Sequence, residues 1–222
     1  ILNIEGLSYQ QEDEVLFSDV NINLAKGDKV ILFSKDSRAV TAFYEIISGN
    51  LKQTKGTFLW GVTTTQGYLP LENEEFFATE DNLVDWLRQW AHTEEERDAV
   101  YLRGFLGKML FSGDEALKSP KVLSGGEKVR CMLSKMMMQN ANVLMLDEPT
   151  NHLDLESITA FNNSLKNFKG TLICSTHDHE FSQSLGNRII ELTPKGAIDR
   201  YSTFDDYMTD PKIKELRNNF YS

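Results

Sequence analysis

Apolar and polar positions alternate from Leu2 to Tyr9 and again from Val20 to Leu24. A period of two predicts strands with one face in a core. Lys29–Phe33 and Val143–Leu146 are nearly continuous apolar runs instead, the pattern of strands buried on both faces of a parallel sheet. Gly56–Trp60 and Gln66–Leu69 read as further short strands. Helical spacing covers Ala39–Ser48, stopped by Gly49-Asn50, then Asn82–Trp90, Glu94–Leu110 and Gly125–Gln139. In the last of these Val129, Met132, Leu133, Met136 and Met137 share one stripe, so the Met136–Met138 run reads as core filling. Strand and helix then alternate from Val143 to Leu192, as in a mainly parallel sheet. The chain is thus expected to be α/β, with a β-rich N-terminal part and a helical subdomain inserted over about 76–139.

Composition narrows the classes. A length of 222 residues suits one large domain with its own core. With 33 acidic against 23 basic side chains, the net charge of −10 argues against a general electrostatic grip on nucleic acid. No apolar stretch approaches the roughly 20 residues of a membrane-crossing helix. Cys131 and Cys174 lack metal-ligand spacing and read as buried thiols of a reducing, cytoplasmic compartment. The first residue, Ile1, suggests a piece of a longer protein.

Candidate chemistry sits where the second apolar run ends. Asp147 and Glu148 follow it directly and Pro149 closes it. Ligands of open α/β sheets bind beyond the carboxyl ends of strands, so the pair could hold Mg²⁺ through Asp147 and polarise a water through Glu148. About one helix earlier stands Leu123-Ser124-Gly125-Gly126-Glu127. Its glycines admit a close approach, Ser124 offers a hydroxyl, and the helix that follows presents unpaired N–H groups to an anion. His177, in Ser175-Thr176-His177-Asp178, stands at the end of a third apolar run.

LSGGE, VLMLDEPTNHLD and LICSTHD, in that order, closely resemble the signature, Walker B with D-loop, and switch-histidine motifs of ABC ATPases. DEPTNHLD and the ending Ile198–Tyr207 resemble the ABC-F class, soluble tandem ATPases that act on the ribosome. The resemblance spans about Leu2 to Tyr207 and implies a P-loop NTPase-like ABC nucleotide-binding domain. Its sheet would be mainly parallel, with an N-terminal antiparallel β part and the inserted helical subdomain. It implies ATP and Mg²⁺ as cofactors, Glu148 and His177 as catalytic residues, and Thr41 and Asp147 as metal ligands. It places Tyr9 on the adenine, and Ser124, Gly125, Gly126, Glu127 and Asp154 at the nucleotide. The partners it implies are a second ABC ATPase domain of the same parent chain, of which this would be the C-terminal half, and the ribosome or tRNA through segments absent here. His152 and His179 would stand beside the chemistry.

The phosphate loop departs from that pattern. Aligning the helix end Ile46-Ile47-Ser48-Gly49 puts GxxGxGK(S/T) on Ser34-Lys35-Asp36-Ser37-Arg38-Ala39-Val40-Thr41. The three glycines are Ser34, Ser37 and Ala39, the lysine is Val40, and only Thr41 is kept. Leu71 stands where the Q-loop glutamine is expected. Residues with a Cβ resist the close approach that glycine permits, and valine supplies no charge for the β- and γ-phosphates; Lys35 and Arg38 are the cations that could compensate. Because ABC domains sandwich ATP between one domain's loop and the other's signature, an intact Leu123–Glu127 beside a damaged loop implies an asymmetric pair. The isolated domain is then expected to hydrolyse ATP weakly or not at all. A non-hydrolytic pseudo-ATPase used for dimerisation or regulation is the alternative, and the nucleotide-binding subunit of a transporter the third reading.

Overall fold

The computed structural model describes all residues, Ile1–Ser222. Two N-terminal strands, β1 (Leu2–Gln11) and β2 (Glu14–Leu24), pair antiparallel. After β3 (Lys29–Phe33) and α1 (Ser37–Ile47), β4 (Lys55–Trp60) returns to the other edge of β1, giving a three-stranded sheet in the order β2-β1-β4. β5 (Gln66–Leu69) begins a second sheet and leads into a helical region of α2 (Leu83–Arg88), α3 (Ala99–Lys108) and α4 (Gly125–Met138). The chain continues through β6 (Val143–Asp147), α5 (Leu155–Asn167), β7 (Thr171–Ser175), α6 (His179–Leu185), β8 (Arg188–Thr193) and β9 (Gly196–Arg200). It closes with α7 (Phe204–Thr209) and α8 (Pro211–Tyr221). The large sheet runs β5-β6-β7-β3-β8-β9, with only β9 antiparallel to its neighbour.

Alternation along the buried strands feeds two cores. Val30, Leu32, Val143 and Met145 point to the face covered by α1 and the small sheet, in a core of 22 buried residues. Their neighbours Ile31, Leu144 and Leu146 point to the face covered by α2–α6, in a core of 31. A continuous apolar run thus behaves as two interleaved period-two patterns. Both cysteines are buried and unpaired, as expected of thiols without partners.

The α/β reading therefore holds, with the antiparallel part at the N-terminus. Several boundaries differ from expectation; β2, for one, starts at Glu14 rather than Val20. The third expected helix starts at Ala99 rather than Glu94, because the Asp98 carboxylate accepts from the N–H groups of Val100 and Tyr101 and sets the N-cap there. The first starts at Ser37 rather than Ala39, taking in part of the expected phosphate loop. Finally β9, α7 and α8 add a C-terminal unit that packs on β8 and the loop after β3. No helix is long and apolar enough to cross a membrane.

Trp86 anchors the helical region. Fully buried, it stacks on Phe77 at 5.1 Å between ring centres, meets Trp90 edge-on at 4.7 Å, and donates its indole N–H to the Phe76 carbonyl at 2.7 Å. Trp86→Ala is expected to cost about 3–5 kcal/mol, read as a lower urea midpoint with an unchanged slope.

Candidate functional site

The strand order reverses its direction of growth at β3, and the loops after β3, β6 and β7 converge there. They open a cavity of about 330 Å³ lined by residues that include Ser34, Ser37, Val40, Thr41, Asp147, Glu148 and His177. At its floor the Asp147 carboxylate accepts from Thr41 Oγ1 at 2.8 Å and from Ser175 Oγ at 2.9 Å. Burial raises the Asp147 pKa above the ordinary carboxylate range, and the two hydroxyls oppose the shift. Hydroxyl and carboxylate oxygens are the hard ligands that Mg²⁺ takes. No three His, Cys, Asp or Glu side chains gather as a metal site, so a cation at Thr41 and Asp147 would need further oxygens from its counter-ion.

Glu148 adopts a left-handed backbone, φ +50°, with its N–H on the Ser175 carbonyl at 2.9 Å. For a non-glycine residue that conformation costs on the order of 1–2 kcal/mol, and it turns the carboxylate into the cavity. There Glu148 Oε2 accepts from the His177 N–H and Oε1 lies 3.2 Å from His177 Nε2. Burial raises the Glu148 pKa, opposed by His177. The cavity also takes in Asn151, Thr176, His179 and Phe204, none of them expected at the site except His179 beside it, and Leu71 stands where a glutamine was expected.

The stretch Ser34–Thr41 is not an open cradle. Asp36 is the N-cap of α1, its Oδ1 accepting from the Arg38 N–H at 3.0 Å and its carbonyl from the Ala39 N–H. The Arg38 guanidinium turns back to Asp36 at 2.7 Å and reaches Glu14 at 2.8 Å, and it holds the Asp36 carboxyl below the usual range. The Lys35 N–H donates to Tyr221 Oη at 3.1 Å, while its ammonium lies 4.2 Å from the centre of that ring. Burial pushes the Tyr221 phenol up to about 12. It stays protonated and donates to Glu191 Oε1 at 2.8 Å, and fully buried Glu191 also receives Tyr207 Oη and Arg217. The Asp36 N–H goes to Ser34 Oγ. Four N–H groups of the loop, those of Lys35, Asp36, Arg38 and Ala39, are thereby spent inside the chain. Ala39 is fully buried, and Val40 is buried with an edge on the cavity. These residues do not fit a triphosphate: the helix N-terminus already carries a carboxylate, and both nearby cations are engaged.

Ser124, Gly125, Gly126 and Glu127 lie apart from this cavity, at the start of α4. Ser124 Oγ accepts from the Glu127 N–H at 3.2 Å, which leaves its proton free to donate. The N–H groups of Gly125 and Gly126 find no acceptor in the chain. Glu127 pairs with Lys118 at 3.5 Å. Asp154 caps α5 through the Ser157 N–H at 2.8 Å. Tyr9 stands outside the cavity, half-buried against Phe17 at 6.3 Å between ring centres.

The sequence pattern of the family described as ABC transporter matches residues 17–151. The chain belongs to that family, as one of its ATPase domains. This ABC domain is 47% identical to the ABC transporter ATP-binding protein YkpA of Bacillus subtilis, over 100% of its own length and 41% of that protein's. It is 27% identical to ABC transporter F family member 5 of Arabidopsis thaliana, over 97% of itself and 31% of the relative. The chain thus spans about two fifths or less of these curated relatives. Its fold matches the dimeric structure of MJ0796, a bacterial ABC transporter cassette, with a TM-score of 0.74 at 18% identity over 90% of this chain and 98% of that one.

Two substitutions test the electrostatics. Asp36→Ala removes a cap worth about 1 kcal/mol. Because the Asp36 pKa is depressed in the fold, that contribution is present above the unfolded value of about 3.9 and fades as pH falls further. Denaturant curves of the two proteins should therefore differ at pH 7 and converge near pH 2. Glu148→Gln has the opposite sign. The raised pKa disfavours the charged form, so the variant should be more stable at pH 8, with the gain gone by pH 3 in thermal melts.

Proposed function

We propose that this domain belongs to an ABC-F protein, as the C-terminal of two ATPase domains, and works chiefly by completing a nucleotide site whose phosphate loop lies on the other domain. The observation that carries the reading is the contrast between two helix N-termini. At α1 the Asp36 carboxylate and the Arg38 side chain occupy the position an anion would take. At α4 the Gly125 and Gly126 N–H groups and the Ser124 proton are unspent. A helix N-terminus with free donors attracts a phosphate, and one already capped by a carboxylate repels it. Ser124, Gly125 and Gly126 would hold the far phosphate of the partner's ATP, with Glu127 and Asp154 fixing the starts of α4 and α5.

The names F family member 5 and Uup-like among the relatives support the ABC-F assignment, and the dimeric cassette of like fold supports pairing with a second domain. Engagement of the ribosome or tRNA by the parent, and a cytoplasmic setting, follow from that class. The degenerate loop makes the domain's own site weak or inactive in hydrolysis. Thr41, Asp147, Glu148 and His177 keep the oxygen ligands and the acid–histidine pair of an ATPase floor. That these groups are kept, with Glu148 and His177 3.2 Å apart, speaks against the pseudo-ATPase alternative, in which this floor would only shape the interface.

Calorimetric titration of the chain with Mg-ATP tests the reading. No binding is expected in the micromolar range. A variant combining Ser34→Gly, Ser37→Gly, Ala39→Gly and Val40→Lys should regain it. In the two-domain parent, Ser124→Arg should cut turnover more than tenfold, while Glu148→Gln leaves most of it. Micromolar binding by the natural chain, or loss of most turnover in Glu148→Gln, would refute the assignment.

A further inference from the structure

His177 and His179 pair with Glu148 and Asp205, whereas His152 has no charged or hydrogen-bonding partner. Its contact is steric. A Cβ built on Gly125 would lie 2.8 Å from His152 Cβ and 2.9 Å from its Cγ; one on Gly126 would lie 2.8 Å from the His152 carbonyl oxygen and 3.2 Å from Leu153 Cδ2. Separations under about 3 Å do not occur between real atoms of these kinds. The atoms at fault are backbone or the stem of the side chain, which cannot swing clear. What lies against the side-chain positions of the glycine pair in the fold is the loop between β6 and α5.

That loop is stiff. Asn151 donates to the Glu148 carbonyl and Leu153 to that of Thr150. Thr150 Oγ1 meets Thr176 Oγ1 at 2.7 Å, which ties it to the loop after β7. A rigid loop pressed on two side-chain-free positions gives the first turn of α4 one seat. We propose that His152 is a positioning residue: its Cβ and ring edge seat the start of α4 against the carboxyl end of β6 and so set the direction in which the Gly125 and Gly126 N–H groups point. The structural part stands on geometry alone; its consequence for turnover rests on the signature-donating role proposed above.

The test has a steric and a positional arm. Gly125→Ala should lower Tm by roughly 3–8 °C, as overpacking by one methyl does in a domain of this size, and adding His152→Gly should recover more than half of that loss. No recovery would overturn the seat. His152→Ala, at an exposed residue, keeps the fold but should speed amide exchange at Glu127 and Lys128, whose N–H groups are bonded to Ser124, by about tenfold or more. His152→Phe, which retains the stem and a ring edge without the nitrogens, should restore protection. Unchanged exchange in His152→Ala, or no restoration by Phe, would also overturn the proposal. In the two-domain parent His152→Ala should raise the ATP concentration for half-maximal turnover several-fold. Faster exchange with unaltered turnover would uphold the seat and count against the signature-donating role; altered turnover with unaltered exchange would do the reverse.

Discussion

A carboxylate removed from water is tolerable only if its lone pairs are met, and the Asp147 side chain is nearly fully buried at the end of a strand. Thr41 brings α1 to one oxygen and Ser175 brings β7 to the other. Three elements distant in sequence are thereby tied at one point on the rim of the large sheet. The left-handed turn at Glu148, the cavity, and the approach of the loop after β7 all follow from where that rim is held. Without the two hydroxyls the strand end would carry an unpaired buried charge, and the site would lose its floor before it lost any ligand.

The two helix N-termini, one beside this floor and one apart from it, differ in what meets their donors. Backbone donors at a helix start are obligatory groups, and the chain either leaves them for a ligand or satisfies them itself. At α1 the Arg38 and Ala39 N–H groups go to Asp36, whose carboxylate the Arg38 side chain holds in place. At α4 the chain leaves Gly125 and Gly126 open. The ion pair of Arg38 with Glu14 is exposed and adds little stability by itself. Its effect is to occupy the one guanidinium near the loop.

Strands buried on both faces, and the helix carrying Val129 to Met137, were legible because hydrophobic period is a local property of sequence. The acidic strand end and the serine–glycine stretch were legible as motifs. The early start of α1 was marked too, since Asp36 ahead of Ser37-Arg38 is a capping residue; aligning the loop to a glycine pattern hid it. The role of Tyr221 had no local signal: it meets Lys35 across the whole domain. A hint existed in Glu191, a carboxylate inside the apolar run of β8 that had to find partners, and found Tyr207, Arg217 and Tyr221. The His152 contact was illegible for a different reason: a glycine pair does not say which neighbouring segment packs against it.

The bond from Lys35 to Tyr221 spans 186 residues. Long-range closures are paid for in chain entropy before they return any stability, and they form late. The loop after β3 therefore reaches its final shape only after α8 has docked. Until then the start of α1 is held by the Asp36 cap, the Arg38–Glu14 pair and the Thr41–Asp147 bond, so the docking of α8 is recorded in the geometry of a loop far from it in sequence.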